Sequence, residues 1–390
     1  MKLTLRQQIT QFAHMLQTGL FPVLNEELGE LTEPAKRLVA TLEMAPLARF
    51  VPSSRGWIGR PSKDRLAIAS AFVAKAVYGF NTTRHLLDAL VSDPQLRRIC
   101  GWNEARQVPH EATFSRAFDE FARMELPQFV HQTLIRETQQ DRLIGHIARD
   151  STAIEARERF PETKPASQPP QSAARQPKKR GRRGADKRYK GGKRPRTVKE
   201  DTRLHRQRTM KLAEMLAELP TVCNIGVKTS ASGLQQSWRG YKLHLDVADG
   251  QIPISAVLTS ASLHDSQVAI PLATMSSQRV TYCYELMDSA YDAQEIKDHS
   301  RAMNHVPIVD PANRGRRTNS EIVPGAPLRE LSWAEADRYR ERTLIERVNG
   351  RLKDEFGGRQ IRVRGAAKVM AHLMFGVLAL TVDQLRRLIE

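Results

Sequence analysis

The sequence predicts an α/β protein, a mixed sheet flanked by helices over residues 141–356, preceded by an all-α region over residues 1–140. Two observations carry this. Up to about residue 140 the apolar residues recur at three- and four-residue spacing, the period of a helix face. From Leu143 onward short β-branched runs alternate with helical stretches, and Asp249-Gly250 between two such runs is a hairpin signal.

Taken in order, residues 1 to about 60 read as helices, with Leu16, Leu20 and the run from Leu38 to Leu47 as apolar faces and Pro34 and Pro46 as breaks. Leu66, Ile68, Ala69, Phe72, Val73 and Val77 then make a helix apolar nearly all round, with Ser62 as its expected N-cap. Shorter helices follow over Asn81 to Leu90 and Pro94 to Cys100. A further helix carries Phe114, Phe118 and Phe121 on one stripe and Thr113, Ser115 and Arg116 nearby. Residues 80–122 therefore allow a helix-turn-helix as well as a plain helical bundle.

The run Leu143 to Ile154 reads as a buried strand with Asp150 near its middle, an acid that is costly there unless paired or bound to a cation. Residues 155–236 read as an insertion, and within it residues 160–200 are rich in Pro, Gly, Lys and Arg and poor in apolar residues, a composition that predicts disorder. Helical periodicity recovers over Thr202 to Leu219. The strands Ser237 to Ala248 and Ile252 to Ser260 form the hairpin, the first with Tyr241, Leu243, Leu245 and Val247 on one face and Lys242, His244 and Asp246 on the other. Asp265 is the expected N-cap of the next helix. Val280 to Leu286 is a strand that runs into Met287-Asp288; a helix over Ala293 to Met303 and a strand over His305 to Val309 follow. Ser332 caps a long helix, and residues 357–390 supply a C-terminal packing helix whose apolar run, Leu373 to Val382, is too short to span a bilayer.

The 390 residues, 40% of them hydrophobic, suffice for a sizeable core. A formal net charge of +18 points to a polyanionic partner, nucleic acid first. Between Arg175 and Arg208 stand 16 Lys and Arg against three acids, so +13 of that charge lies in one stretch suited to DNA phosphates. Cys100, Cys223 and Cys283 are far apart and suggest neither a zinc site nor a disulfide framework. With no apolar leader at the N-terminus, the expected compartment is the cytoplasm, with no membrane contact.

Read as one helix, residues 339–353 place Ile345, Val348 and Leu352 on an apolar stripe, continued by Phe356. They place Tyr339, Arg342, Glu346 and Lys353 on a second stripe beside it. By element order, Asp150, Asp288 and Glu346 can converge at one edge of the sheet. Three such carboxylates would repel one another and need a cation, and oxygen ligands alone favour two Mg²⁺ or Mn²⁺ ions. Ions so held activate a water or a 3′-hydroxyl and stabilise the leaving oxygen of a phosphodiester displacement, while the neighbouring cations hold phosphates.

The spacing Tyr339, Arg342, Glu346, Lys353 resembles the Y-(2)-R-(3)-E-(6)-K motif of bacterial insertion-sequence DDE transposases. Asp150 in Ala148-Arg149-Asp150-Ser151-Thr152 is similar to that family's first acid, and Asp288 in Met287-Asp288-Ser289-Ala290-Tyr291-Asp292 to its second, with Ser289-Ala290 where a Lys often follows. Trp238 to His244 resembles the strand after the insertion, and Lys63 to Phe121 the N-terminal helical region. The resemblance implies an RNase H-like catalytic domain with Asp150, Asp288 and Glu346 as metal ligands, cleavage at the element's terminal inverted repeats, and strand transfer into target DNA by a homodimer. It also implies that Arg342 and Lys353 contact phosphate and that Tyr339 lies beside the transferred or flipped nucleotide. Lys242 and the tract residues Lys178, Lys179, Arg180, Arg182 and Arg183 are further DNA-binding candidates. Alternatives are a transposase-derived DNA-binding protein that no longer cuts, and a general RNase H-like nuclease or resolvase. Asp246 is weighed as a fourth carboxylate, Asp292 as a cap, and His110 and His264 as structural.

Overall fold

Strand β1, Leu143–Glu155, is where the sheet's two halves meet. On one side it pairs antiparallel with β3, Gln235–Ala248, and on the other it runs parallel to β5, Thr281–Met287. Beyond β5 lies β6, Val306–Val309, also parallel. The outer edge of β3 is shared by two antiparallel strands, β2, Asn224–Thr229, along its first half and β4, Ile252–Ser260, along its second. The structure, a computed structural model, describes residues 4–51, 63–140, 142–158, 202–229, 234–310 and 331–388. The basic residues Lys178, Lys179, Arg180, Arg182 and Arg183 lie outside these, as does Ser62.

The hairpin and the β5 to β6 unit fall where periodicity places them. β2 was not expected: only Ile225 and Val227, both exposed, alternate with Asn224, Gly226 and Lys228, and the expected insertion 155–236 therefore contributes a strand. Neither face of β3 is left to solvent: from Tyr241 to Ala248 every residue but Lys242 is buried, because helices cover both faces. At Gly240 φ is +152°, and a Cβ would overlap the carbonyl oxygen of Ile154, so only glycine lets β3 run so close to the end of β1.

In the N-terminal half, α1 is Leu5–Met15, α2 Phe21–Leu28, α3 Glu33–Met44, α4 Leu47–Phe50 and α5 Arg65–Val77. Helix α5 is buried from Ala67 to Val77 and is capped by Asp64, whose carboxylate accepts from the N–H groups of Leu66 and Ala67. Pro34 starts α3 rather than breaking a helix, since its missing N–H is an orphan donor there anyway. Next come α6, Thr83–Ser92, α7, Pro94–Ile99, α8, Glu111–Arg123, and α9, Leu126–Gln139. Helix α8 buries Phe114, Phe118 and Phe121 and exposes Ser115 and Arg116. In the second half, α10 is Arg203–Gln207, α11 Leu212–Ala217, α12 Ser266–Ser277, α13 Gln294–Ala302, α14 Trp333–Arg340, α15 Thr343–Asp354 and α16 Ala366–Arg387.

Helix α16 joins the halves. It packs on α3, α5, α8, α9 and β4, and one continuous core runs from Ile9 through the sheet to Leu385. Phe375 of α16 stacks on Phe72 with centroids 5.9 Å apart, and Phe118 lies 4.7 Å from Phe72, an aromatic group that adds about 0.5–1.5 kcal/mol per pair beyond area burial. The helix is longer than its apolar run implied: at 22 residues it meets the length and composition of a membrane span, yet 72% of its most apolar window is buried inside the fold.

The centre of the sheet holds a charge cluster. Arg149 of β1 is fully buried, donating from Nε and Nη2 to the two oxygens of Asp246 on β3 at 2.8 and 2.9 Å and, at 3.4 Å, to Glu285 on β5. Ser276 Oγ donates to Asp246 at 2.6 Å, and Ser300 Oγ and Tyr282 Oη to Glu285 at 2.5 and 2.7 Å. Burial drives the Asp246 carboxyl up. Burial also works against Glu285, but Arg149 and its hydroxyl donors hold it well below the usual carboxylate range. Asp246 is thus consumed in structure. Replacing Arg149 by Met would leave two carboxylates buried without their cation, and the variant is expected to lose about 3–5 kcal/mol in urea unfolding. A loss below about 1 kcal/mol would show that the cluster does not hold the strands.

Candidate active site

Two aspartates meet because of strand register. Arg149 of β1 pairs with Met287 of β5, so the next residues, Asp150 and Asp288, extend side by side from neighbouring parallel strands that lie about 4.8 Å apart. Met287 in turn pairs with Val309 of β6, and Asp310 follows it as a third acid in the same row. Asp150 accepts from the Ser151 N–H at 2.8 Å, and Asp288 from the Ala290 N–H at 2.9 Å in the turn Ser289–Tyr291.

Burial raises the Asp150 carboxyl to about 6, with Asp288 and Asp265 adding to the rise, although the Ser151 N–H and Arg342 pull the other way. Asp288 is raised by burial and by Asp265 against the pull of Ala290, Arg342 and Lys228. Asp310 is raised by burial, with Asp288 and Asp292 adding to it. Burial is thus the main reason all three carboxyls are raised, with neighbouring aspartates adding to it.

The helix expected over residues 339–353 is broken. Capped by Ser332 and Glu335, α14 ends at Arg340, and the N–H groups of Glu341 and Arg342 bond three residues back, to Arg338 and Tyr339, before α15 begins. Tyr339 and Arg342 so belong to a joint between two helices, with the guanidinium carbon 5.9 Å from the Tyr339 ring centroid. Arg342 reaches Glu346 Oε1 at 2.7 Å and Asp150 Oδ2 at 3.9 Å. Burial opposes its charge, but Tyr339, Asp150 and Glu346 hold its pKa above the ordinary value. Glu346 is the outlying acid, its side chain 56% exposed and its carboxylate turned to Arg342. On α15 the apolar stripe of Ile345, Val348 and Leu352 is buried as its spacing predicts.

Several other residues are placed differently from expectation. Asp265 makes no side-chain cap on α12; it accepts from Lys242 Nζ at 2.8 Å. Burial would raise its carboxyl, yet Lys242 and the Ser151 hydroxyl are among the groups that hold it low. Lys242 also donates to the Leu263 carbonyl at 2.9 Å and is 14% exposed, so its ammonium is committed inside the fold rather than offered to DNA. Asp292 pairs with Lys297 at 2.8 Å instead of capping α13. Lys353 is half-buried and its pKa is lowered by burial and by the cations Arg359 and Lys228. His110 caps α8 through Nδ1 to the Ala112 N–H, and His264 bonds Ser266. Among the described residues no three His, Cys, Asp or Glu side chains are grouped as a ready metal cage.

Sequence reasoning did not single out Asp310 or Lys228. The first had a signal, since Ile308-Val309-Asp310 repeats the strand-then-acid pattern of Leu286-Met287-Asp288. The second sits on β2, the strand that was not expected.

Residues 221–382 match the family described as a transposase DDE domain, and residues 25–120 match a second one described as a transposase domain. Asp288 and Glu346 lie inside the first match, α6, α7 and α8 as far as Glu120 inside the second, and Asp150 between them. No curated protein and no solved structure matches the chain. The two matches indicate a transposase, and the mixed sheet flanked by helices fits one. A DDE domain points in turn to a polynucleotidyl transferase or nuclease that uses divalent metal ions and binds DNA.

The raised Asp150 carboxyl yields a test. Because the folded state binds this proton more tightly than the unfolded chain, stability contributed below pH 4 is lost as pH rises to about 6. Asp150→Asn is expected to unfold at the same temperature as the wild type at pH 4 and above it at pH 7.5, by on the order of 3 kcal/mol from a shift of about two units. Thermal melts across pH 4–8 in chelator check this; equal melting temperatures at pH 7.5 would contradict it.

Proposed function

We propose that the protein is an insertion-sequence transposase of the Y-(2)-R-(3)-E-(6)-K group that cleaves DNA at the element's ends and transfers the cut strands into target DNA. The observation that carries this reading is the juxtaposition of Asp150 and Asp288 on adjacent strands, with Arg342 beside them. In an RNase H-like reading the sheet order supports it: β4, β3 and β1 antiparallel in a row, then β5 and β6 parallel to β1.

The chemistry of the donor set suits a divalent cation. Asp150 and Asp288 are hard oxygen donors whose burial and mutual repulsion raise their proton affinity, a deficit that a dication meets better than one guanidinium. They would hold Mg²⁺ or Mn²⁺, two ions in the full site, with Glu346 as the third ligand once it leaves Arg342. When bound, the metal ions activate the attacking hydroxyl and stabilise the leaving oxygen of an in-line phosphodiester displacement. The protein's own groups do the positioning. Arg342 presents a planar, always-charged fork to a phosphate next to Asp150. Tyr339, half-buried against that fork, offers a ring face for a nucleotide, and Lys353 offers a second cation further along α15. The tract residues Lys178, Lys179, Arg180, Arg182 and Arg183 add sequence-independent attraction for DNA. Processing two ends calls for a homodimer on DNA, acting in the cytoplasm on the nucleoid.

Two experiments test the reading. Asp288→Asn is expected to reduce Mg²⁺-dependent cleavage of duplexes carrying the inverted repeats that flank the gene to background, with DNA binding kept; full residual cleavage would sink the assignment. Deleting residues 175–200, which leaves α10 in place, should flatten the dependence of log K on log salt by several units, since each phosphate-bound cation contributes about 0.9. An unchanged slope would mean that the tract is only a linker.

A further inference from the structure

A second basic site lies apart from the carboxylates, in a cavity of about 420 Å³ bordered by α5, α8, α16 and the segment before α16. Five cations line it, Lys75, Arg157, Arg362, Arg364 and Lys368, together with His372. Its one acid, Glu111, has Arg84 at 3.7 Å, and Lys368 is paired with Asp119 at 2.9 Å.

Lys75 is the unusual member. It is only 8% exposed, in the last turn of α5, and among the described residues no carboxylate pairs with it. Its partner is His372 Nδ1 at 3.5 Å. His372 Nε2 stands 3.0 Å from the Gly357 carbonyl, so Nε2 carries the hydrogen and Nδ1 is left to accept from Lys75. Burial drives the His372 pKa down to about 3, so the ring brings no charge. Burial lowers Lys75 to about 8, which leaves a buried ammonium still charged at neutral pH and lacking a counter-ion.

The mouth is built as well. Glu158 accepts from Tyr241 Oη and from the Gly365 N–H, each at 2.7 Å, which ties the chain beyond β1 to the start of α16. Gly365 has φ +88°, a conformation that glycine adopts without strain. Arg157 and Arg364, the residues before Glu158 and Gly365, are thereby set beside one another. Both are exposed, and neither has an ion-pair partner among the described residues.

We propose that this cavity binds a backbone phosphate of duplex DNA, with Lys75 at its floor and Arg157 and Arg364 at its mouth. The proposal rests on the reading of the protein as DNA-acting. It favours a duplex over a small anion because of reach. Arg157 lies seven residues past Asp150, at most roughly 23 Å along an extended chain at about 3.3 Å per residue. That is about seven nucleotides of one strand at 3.4 Å each, so a duplex with one phosphate at the aspartates has another within reach of the cavity. Ser115 of α8 also lines it, which brings the exposed face of that helix to the same path.

The test is fluorescence anisotropy of the full chain with a labelled random-sequence duplex over a range of salt. Arg157→Ala/Arg364→Ala, two exposed changes, should weaken binding about tenfold near 0.1 M salt and reduce the slope of log K against log salt by about two. Arg6→Ala/Arg98→Ala, outside the cavity, should leave the slope unchanged. Lys75→Met should weaken binding alongside them where circular dichroism shows it folded. A wild-type slope in the arginine pair would overturn the proposal. So would a pair that loses thermal stabilisation by inorganic phosphate while binding DNA normally, since the cavity would then take free phosphate. Cleavage of element ends is scored separately: a pair that loses the slope in a protein that never cuts keeps the phosphate site and removes the transposase reading.

Discussion

The position of the candidate site depends on one buried guanidinium. Arg149 spans three adjacent strands, holding Asp246 of β3 with two bonds and Glu285 of β5 with two longer ones. Strand pairing alone tolerates register slips, because main-chain bonds are the same in every register. A slip of β5 against β1 would carry Glu285 away from Arg149 and strand two charges in a dry interior, at a cost of several kcal/mol. The same register that satisfies Arg149 brings Asp150 beside Asp288. A structural ion cluster one residue behind the site thus aligns the acids in front of it.

That arrangement has an electrostatic consequence. Asp150 within β1 and the acids that follow β5 and β6 are raised chiefly by burial, and the nearby cations are partly committed elsewhere. Lys242 is already committed to Asp265, and Arg342 is shared between Asp150 and Glu346. Under the proposed metal-dependent reading, a dication would neutralise two neighbouring carboxylates where one shared guanidinium does not.

Much of this was legible in the sequence. Short β-branched runs placed β1, β5 and β6, alternation with the Asp249-Gly250 turn placed β3 and β4, and the three- and four-residue pattern placed α5 to α8. Asp150 and Asp288 stood out as acids in or at the end of apolar runs. What could not be read was anything set by pairing across strands. That Arg149 neutralises Asp246, that Lys242 turns inward to Asp265, and that Asp310 completes a row all follow from register, which a linear pattern does not encode. The break between α14 and α15 was also invisible, since neither glycine nor proline marks it and the chain simply tightens by one bond per turn. β2 was missed because its alternation is carried by only two apolar residues, Ile225 and Val227, both exposed; it pairs along the first half of β3.

The two arginines nearest the site show why one is scaffold and the other is free to act. Arg149 has no exposure and ends on carboxylates that have no water to turn to, so breaking it is costly. Arg342 meets an exposed Glu346 one helical turn away, a type of pair worth only about 0.3–0.5 kcal/mol. Glu346 can therefore swing from Arg342 at little cost, and the guanidinium it releases remains anchored by the Tyr339 ring and by Asp150. The geometry in which the third acid faces outward is a shallow one, set by an exposed ion pair, whereas the geometry that aligns the two aspartates is deep, set by a buried one. Glu346 is held by an exposed pair on a helix, whereas Asp150 and Asp288 are placed by strand register.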